Sequence, residues 1–119
     1  MDELMYSVIE IFTSEEARWH GSPLYDALVR MVAKENSFAR CIVSKGIAGC
    51  YEDGEIASHR ILDLSYNMPL KIEIVLPASE LERILAHVDE MVTDGIVVVE
   101  NVEIRAHRTH RAHGERRVD

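Results

Sequence analysis

The sequence predicts an α+β fold in which two helices cover one face of a four-stranded antiparallel sheet. Segments with strand or helix periodicity follow one another in the order strand, helix, strand, strand, helix, strand. Two helices placed in this order can cover only one face of such a sheet, as in the ferredoxin-like or split βαβ arrangement. The chain has 119 residues, 47% of them hydrophobic and 29% charged, which favours one globular core over a disordered or fibrous chain.

The first strand and the first helix are predicted in the N-terminal third of the chain. Residues 5–12 are rich in β-branched and aromatic side chains, which favours a strand. Ser22 then precedes Pro23, so that a hydroxyl cap is followed by a proline at the first helical position. Apolar residues recur at helical spacing after this proline, and Asn36 is expected to close the helix.

The second extended segment is interrupted by glycine. Residues 39–50 read as one strand, in which Gly46 and Gly49 indicate a bulge or a close approach of another backbone. Residues 51–55 combine turn-forming and charged side chains and are expected to form a mobile, exposed loop. Residues 58–65 return to strand character before the next turn.

The second half of the chain predicts the clearest strand and the second helix. Residues 70–76 alternate apolar and other side chains, so the apolar ones share one face. Ser79 and Glu82 have the spacing of a capping box at a helix start, and Gly95 is expected to end that helix. Residues 96–104 are the last strand.

Apolar residues occur on both faces of these strands. Val97 and Val99 alternate with Ile96 and Val98, which gives the last strand two apolar faces. Because two helices can cover only one face, the uncovered face is expected to be buried against other subunits. The sequence therefore predicts a homo-oligomer.

The net charge of −8 divides unevenly along the chain. Residues 105–119 contain five arginines and two acidic residues, so this segment is basic. Residues 1–104 contain eight lysines and arginines and 19 acidic residues, so the body is acidic. We therefore expect a single domain over residues 1–106 and a basic, flexible tail over residues 107–119. An acidic body argues against nucleic-acid binding, because phosphate repulsion acts over the whole surface.

Nothing in the sequence predicts a membrane span or secretion. The longest apolar run, residues 95–99, is far shorter than the roughly 18 to 20 residues that a membrane helix needs. The N-terminus lacks a basic segment followed by an apolar stretch, so a cytoplasmic location is expected. Cys41 and Cys50 belong to no Cys-x-x-Cys motif and are expected to be buried free thiols.

Several segments together resemble a known family. They are Gly-Ser-Pro-Leu-Tyr-Asp-Ala-Leu-Val at residues 21–29, Ser-Lys-Gly-Ile-Ala-Gly at 44–49, Ser-His-Arg-Ile-Leu-Asp-Leu-Ser at 58–65, Met-Pro-Leu-Lys-Ile-Glu-Ile-Val at 68–75 and Val-Asp-Glu-Met at 88–91. In this order the set resembles the bacterial and archaeal PII-like family known as domain of unknown function 190, over about residues 5–104. That family is similar to the nitrogen-regulatory PII signalling proteins.

The resemblance implies a trimer that binds adenine nucleotides in clefts between subunits, with a long loop after the second strand. It also makes a membrane transporter or channel a plausible partner. One departure concerns the phosphate-binding loop of PII proteins, Thr-Gly-x-x-Gly-Asp-Gly-Lys. In this chain the corresponding segment is reduced to Thr93, Asp94 and Gly95, which puts an ATP site of the PII type in doubt.

Candidate ligand-binding residues lie on either side of the predicted loop. The Lys-Gly-x-x-Gly segment containing Lys45, Gly46 and Gly49 could offer backbone N–H groups and an ammonium to a phosphate. The alternative is a bulge that shapes the sheet edge. His59 and Arg60 could add an imidazole and a guanidinium to the same cleft, or form a solvated strand start.

Two further candidates, Arg105 and Arg108, follow the last strand, much as PII proteins place arginines near nucleotide phosphates. A generic basic tail is the alternative interpretation. The histidines of the same segment, His107, His110 and His113, suit a borderline metal by their spacing, but no cysteine or carboxylate framework accompanies them. We therefore expect no specific metal site and no bound cofactor other than a nucleotide ligand.

The preferred hypothesis is a PII-like regulatory protein that binds a small ligand, an adenine nucleotide, and acts on a partner through the loop after the second strand. The alternatives are a trimeric metal-binding protein like the divalent-cation tolerance proteins, and a ligand-free assembly module. Catalysis is not expected, since the sequence has no Gly-x-Ser-x-Gly, His-Glu-x-x-His or Walker motif.

Overall fold

The computed structural model describes residues 4–58 and 67–110, which contain two α-helices and eight strands. The elements are, in chain order, β1 (Met5–Ser14), β2 (Arg18–Trp19), β3 (Ser22–Pro23), α1 (Leu24–Glu35), β4 (Arg40–Lys45), β5 (Ala48–Cys50), β6 (Ile56–Ser58), β7 (Pro69–Pro77), a 3-10 turn (Ala78–Glu80), α2 (Leu81–Met91) and β8 (Ile96–Glu103).

The main sheet has four antiparallel strands in the order β4, β7, β1, β8. The two central strands, β1 and β7, pair over their whole common length, and β4 and β8 form the edges. Two short hairpins, β2 with β3 and β5 with β6, are separate from this sheet. The four-stranded antiparallel sheet and the two helices predicted from the sequence are thus confirmed.

The hydrophobic core lies between one face of the sheet and both helices. On the central strands Ile9 faces Ile74 and Ile11 faces Ile72, and all four are fully buried. The helices place their buried side chains in the same cluster: Leu24, Leu28, Val32, Ile84, Val88 and Met91. Both helices therefore cover one face of the sheet, which we call the helix face.

The opposite face of the sheet, which we call the open face, mixes apolar and charged side chains. Phe12 is 41% exposed and Ile42 is 54% exposed, although both stand on sheet strands. Between them, the ammonium of Lys71 lies 3.9 Å from a carboxylate oxygen of Glu10 and 3.8 Å from one of Glu73. This arrangement confirms the prediction that the strands carry apolar residues on both faces.

The C-terminal segment begins by packing at one end of the open face. The Ile104 N–H donates to the carbonyl of Leu4, and the Tyr6 hydroxyl lies 2.7 Å from Nδ1 of His107. The His107 ring also lies against Phe38, with ring centroids 4.1 Å apart. The start of the predicted tail is therefore attached to the body, while residues 111–119 lie outside the described part.

Both predicted helix caps are wrong. The capping residue at the N-terminus of α1 is Pro23 rather than the predicted Ser22, and no side-chain hydrogen bond caps this helix. At α2 a 3-10 turn occupies the expected capping box, and the Leu81 N–H is satisfied by the carbonyl of Ala78 instead of a side chain. The predicted end of α1 is confirmed, because Asn36 adopts the left-handed conformation with φ of 53°.

The second extended segment also differs from its prediction. It divides into β4 and β5 at Gly46, and Cys50 is exposed rather than buried. Residues 51–55, expected as a mobile loop, form the turn of a hairpin in which the Tyr51 N–H donates to the carbonyl of Glu55 at 2.9 Å. The strand predicted over residues 58–65 lies outside the described part except for its first residue.

Gly95 ends no helix, since α2 stops at Met91, but it has a different structural role. Its φ is +143°, and a Cβ atom built on it would lie 2.4 Å from the carbonyl oxygen of Phe12. That distance is too short for any side chain, so glycine is required for the chain to pass this close to the end of β1.

We expect Gly95→Ala to lower the free energy of unfolding by about 2 kcal/mol or more, because it combines a backbone clash with an unfavourable φ. Gly21→Ala is the matched control, since Gly21 has φ of +84° but nothing within 4 Å of its Cβ position. It should cost only about 1 kcal/mol, from backbone strain. Urea denaturation of both variants tests this, and equal losses would contradict the role assigned to Phe12.

A second prediction concerns His107, whose pKa is lowered first by burial and then by the nearby positive charge of Arg40. Because the folded pKa lies below the unfolded value, the folded state disfavours the protonated ring, and stability is lost as the pH falls through the folded pKa. An NMR titration should find the pKa of His107 below its ordinary value. Phe38→Ala should raise that pKa more than Arg40→Gln does, because burial is the larger cause. The opposite ranking would contradict this.

Candidate functional site

A cavity of about 320 Å³ lies at the end of the sheet where β1 ends and where β7 and β8 begin. Three separate parts of the chain contribute to it: the strand ends, the β5–β6 hairpin and the loop after α2. The lining residues are Phe12, Thr13, Ser14, Cys50, Tyr51, Glu52, Pro69, Leu70, Asp94, Gly95 and Ile96.

The strand ends give the cavity its apolar walls. Phe12 pairs with Ile96 across β1 and β8, and Leu70 stands near the start of β7. The Thr13 hydroxyl donates to the carbonyl of Asp94 at 3.0 Å, which holds the loop after α2 against β1. Together with the close passage of Gly95, this bond fixes one wall of the cavity.

The hairpin of β5 and β6 forms the second side of the cavity and is anchored to the body by Tyr51. The Tyr51 hydroxyl donates to the carbonyl of Asn67 at 2.6 Å, just before β7. Burial is the main cause that raises the pKa of Tyr51, a hydrogen bond with Ser14 opposes it, and the carboxylates of Glu55, Glu16 and Glu15 raise it further. The Tyr51 hydroxyl therefore stays protonated at neutral pH and remains a donor.

The predicted segment of Lys45, Gly46 and Gly49 lies beside the cavity, against Pro69. A Cβ atom on Gly46 would lie 3.0 Å from the Pro69 ring, and one on Gly49 would lie 3.1 Å from it. The Gly46 N–H donates to the carbonyl of Pro69 at 2.8 Å. The two glycines thus allow β4 and β5 to pass close to Pro69, which supports the interpretation as a close backbone approach.

The ammonium of Lys45 lies 2.9 Å from a carboxylate oxygen of Glu15. The other carboxylate oxygen of Glu15 accepts the Met68 N–H at 3.3 Å, and the Glu15 N–H donates to the Met68 carbonyl at 3.0 Å. The neighbouring Glu16 N–H donates to the side-chain oxygen of Asn67 at 2.9 Å. Asn67 and Met68 therefore connect the end of β1, the turn of the hairpin and the start of β7.

Arg105 and Arg108, two of the remaining predicted residues, are not beside this cavity within one chain. Arg105 and Arg108 are exposed and follow β8, whose last residue, Glu103, pairs with Met5 at the opposite end of β1. The ten residues of β1 span about 30 Å at the usual rise of a strand. His59 and Arg60 lie outside the described residues.

Sequence reasoning missed Glu15, Tyr51 and Asn67 as members of this site. Their contacts join residues far apart in the chain, as with Tyr51 and Asn67, and none of them belongs to a periodic pattern or motif. No local signal in the sequence could have indicated them.

A second, larger groove of about 460 Å³ lies on the outer side of the helices. Trp19 and His20 stack on each other at its edge with ring centroids 4.0 Å apart. On its other side Glu35 contacts Arg83 and His87. The groove lining carries charges of both signs, with acidic Asp26, Glu35 and Glu90 and basic Arg30 and Lys34.

The thiols and histidines show no metal arrangement in the part of the chain that the structure describes. Within residues 4–58 and 67–110 no three His, Cys, Asp or Glu side chains are placed to hold an ion together. Burial raises the pKa of Cys41 to about 11, so this thiol stays protonated, while Cys50 is a free thiol at the rim of the cavity. None of the described helices is long and apolar enough to cross a membrane.

Sequence comparisons find relatives over most of the chain. The chain is 30% identical over 97 residues to the "UPF0166 protein" of Aquifex aeolicus (strain VF5). This match covers 82% of this chain and 90% of that protein. A solved structure, the "De novo designed protein Foldit4", matches with a TM-score of 0.46 and 15% identity over 85% of this chain and 98% of the designed one. Residues 6–104 match DUF190, described as "Uncharacterized ACR, COG1993", and the chain therefore belongs to the DUF190 family.

Proposed function

We propose that this protein is a PII-like regulatory protein that binds a small adenine nucleotide at clefts between subunits of a homotrimer. The observation that carries the proposal is the cavity shared by the strand ends, the β5–β6 hairpin and the loop after α2. A ligand in this cavity touches the hairpin and the body at once, so its presence can be transmitted to a partner.

The chemistry of the cavity suits a base better than a phosphate. Phe12, Leu70 and Ile96 give apolar walls, whereas Glu52 and Asp94 bring carboxylates. A volume of about 320 Å³ is at the small end of the range for ligand pockets, which begins near 300 Å³. Apolar walls with nearby acceptors match a flat ring with an exocyclic amino group, as in adenine.

The phosphates then need cations from outside the cavity. Lys45 pairs with Leu70 across β4 and β7, which places it next to the lining. Arg105 and Arg108 stand at the far end of the sheet, so in this proposal they come from another copy of the chain. A trimer in which these arginines approach a neighbouring cavity would complete the site, and His59 and Arg60 remain proposed members of it.

The open face is the surface that supports a trimer. Among the four main strands the second lies beside the third, the third beside the first and the first beside the fourth, an order that supports the proposed ferredoxin-like arrangement. The open face carries exposed Phe12 and Ile42 around the charged group of Glu10, Lys71 and Glu73. Covering these apolar side chains removes them from water, and the charged group can fix the orientation of the copies.

The β5–β6 hairpin is the proposed contact for a partner. It forms its own two-stranded sheet and exposes Ile56, with 65% of its surface accessible. Ile47, directly before β5, is 77% accessible. By the family resemblance the partner is a membrane transporter or channel, met from the cytoplasmic side. The protein itself has a regulatory role in this proposal and is not an enzyme.

The nucleotide proposal is tested by calorimetry with AMP, ADP, ATP and cyclic AMP at up to millimolar concentration. We expect binding of at least one of them, and Ile96→Glu should weaken it by at least about tenfold, because the new carboxylate enters the apolar wall. Ile56→Glu is the matched control on the hairpin, outside the lining, and should change affinity less than about twofold. Absence of heat for all four nucleotides would remove the nucleotide from the proposal.

The trimer is tested by light scattering after size-exclusion chromatography. The wild-type protein should have three times the mass of one chain, and Ile42→Glu should shift it towards the monomer, because a charge enters the open face. Val29→Glu, on the exposed side of α1, should leave the mass unchanged. A monomeric wild-type protein would contradict the trimer and leave the cavity without its arginines.

A further inference from the structure

The carboxylate of Glu15 occupies a position with the donors of an anion site. One of its oxygens lies 2.9 Å from the Lys45 ammonium, and the other accepts the Met68 backbone N–H at 3.3 Å. An ammonium and a backbone N–H are the donor types that hold phosphoryl oxygens in proteins. Glu15 therefore makes within the chain the contacts that an anionic ligand would make.

The backbone of Glu15 holds the carboxylate in this place. Its N–H donates to the carbonyl of Met68 at 3.0 Å, so the main chains of the two residues are joined where β1 ends and β7 is about to begin. The carboxylate retains partial exposure, with 30% of the side-chain surface accessible, and Lys45 retains 47%. Both groups can therefore be reached by a ligand from solvent.

We propose that Glu15 is a built-in competitor for the anionic ligand at Lys45, and that ligand binding displaces its carboxylate. A phosphate monoester carries up to two negative charges against one on the carboxylate, so it can replace Glu15 at the ammonium. This inference rests on the proposed function, in which Lys45 contacts the phosphate. Glu15 thereby sets the ligand concentration at which the site fills.

The displacement also reaches the hairpin. Met68 follows Asn67, whose carbonyl accepts the Tyr51 hydroxyl and whose side chain accepts the Glu16 N–H. When the carboxylate of Glu15 is displaced, the Met68 N–H either loses its acceptor or bonds a ligand oxygen instead. Met68 is adjacent to Asn67, the residue that anchors the hairpin through Tyr51. Exchange of one anion for another at this point therefore links ligand occupancy to the hairpin.

The test measures the affinity of AMP and, separately, of inorganic phosphate for the wild type and four variants by calorimetry at low salt. Glu15→Gln should bind both anions about threefold to fivefold more tightly than the wild type, the range expected for loss of a partly exposed ion pair. Glu16→Gln is the matched control, because it removes an equal charge one residue away from the Lys45 contact, and should change affinity less than half as much. Lys45→Met combined with Glu15→Gln should bind no more tightly than Lys45→Met alone, because the contact for which Glu15 competes is then absent.

The outcomes separate this inference from the proposed function. Equal effects of Glu15→Gln and Glu16→Gln, or weaker binding by Glu15→Gln, would overturn the competitor role even if AMP binds. Tighter phosphate binding by Glu15→Gln with no AMP binding by any variant would support the role of Glu15 and reject the nucleotide. Failure of every variant, including Glu15→Gln, to bind either anion would reject both. Circular dichroism of each variant confirms that the fold is kept.

Discussion

The antiparallel pairing of β1 with β7 is the constraint on which the rest of the structure depends. It runs without interruption from Tyr6 opposite Pro77 to Ser14 opposite Pro69. This register places the isoleucines of both strands on the helix face, and a shift by one residue would turn them to the open face. The same register sets the two strand ends side by side, and the cavity, the turn of the β5–β6 hairpin and the loop after α2 all pack against those ends.

Local sequence patterns predicted the helices and strands, whereas contacts between residues far apart in the chain determined where some of these elements end. Alternation over residues 70–76 and helical spacing after Pro23 depend only on neighbouring side chains, so the sheet and both helices could be predicted. The break at Gly46 depends on Pro69, which lies 23 residues further along the chain. The α2 cap failed for a local reason, because a 3-10 turn over Ala78–Glu80 satisfies the Leu81 N–H and replaces the predicted side-chain capping box.

The candidate site was predictable only in part. Lys45 and the two glycines were indicated by their spacing, and the structure places them next to the cavity. The two arginines were found by resemblance, but one chain keeps them at the opposite end of the sheet. Glu15 carries no pattern at all, since its role comes from the pairing of β1 and β7, which brings it to Met68 and Lys45.

The β5–β6 hairpin has its own ladder of hydrogen bonds, which does not continue into the main sheet. Opening it breaks that short ladder and the Tyr51 anchor and exposes the buried Ala57, but the pairing of the core strands can stay intact. We therefore expect the hairpin to open at a lower free energy than the main sheet. Amide hydrogens of the hairpin can exchange with solvent while those of β1 and β7 stay protected, and the hairpin can respond to a ligand without a cost to the main sheet.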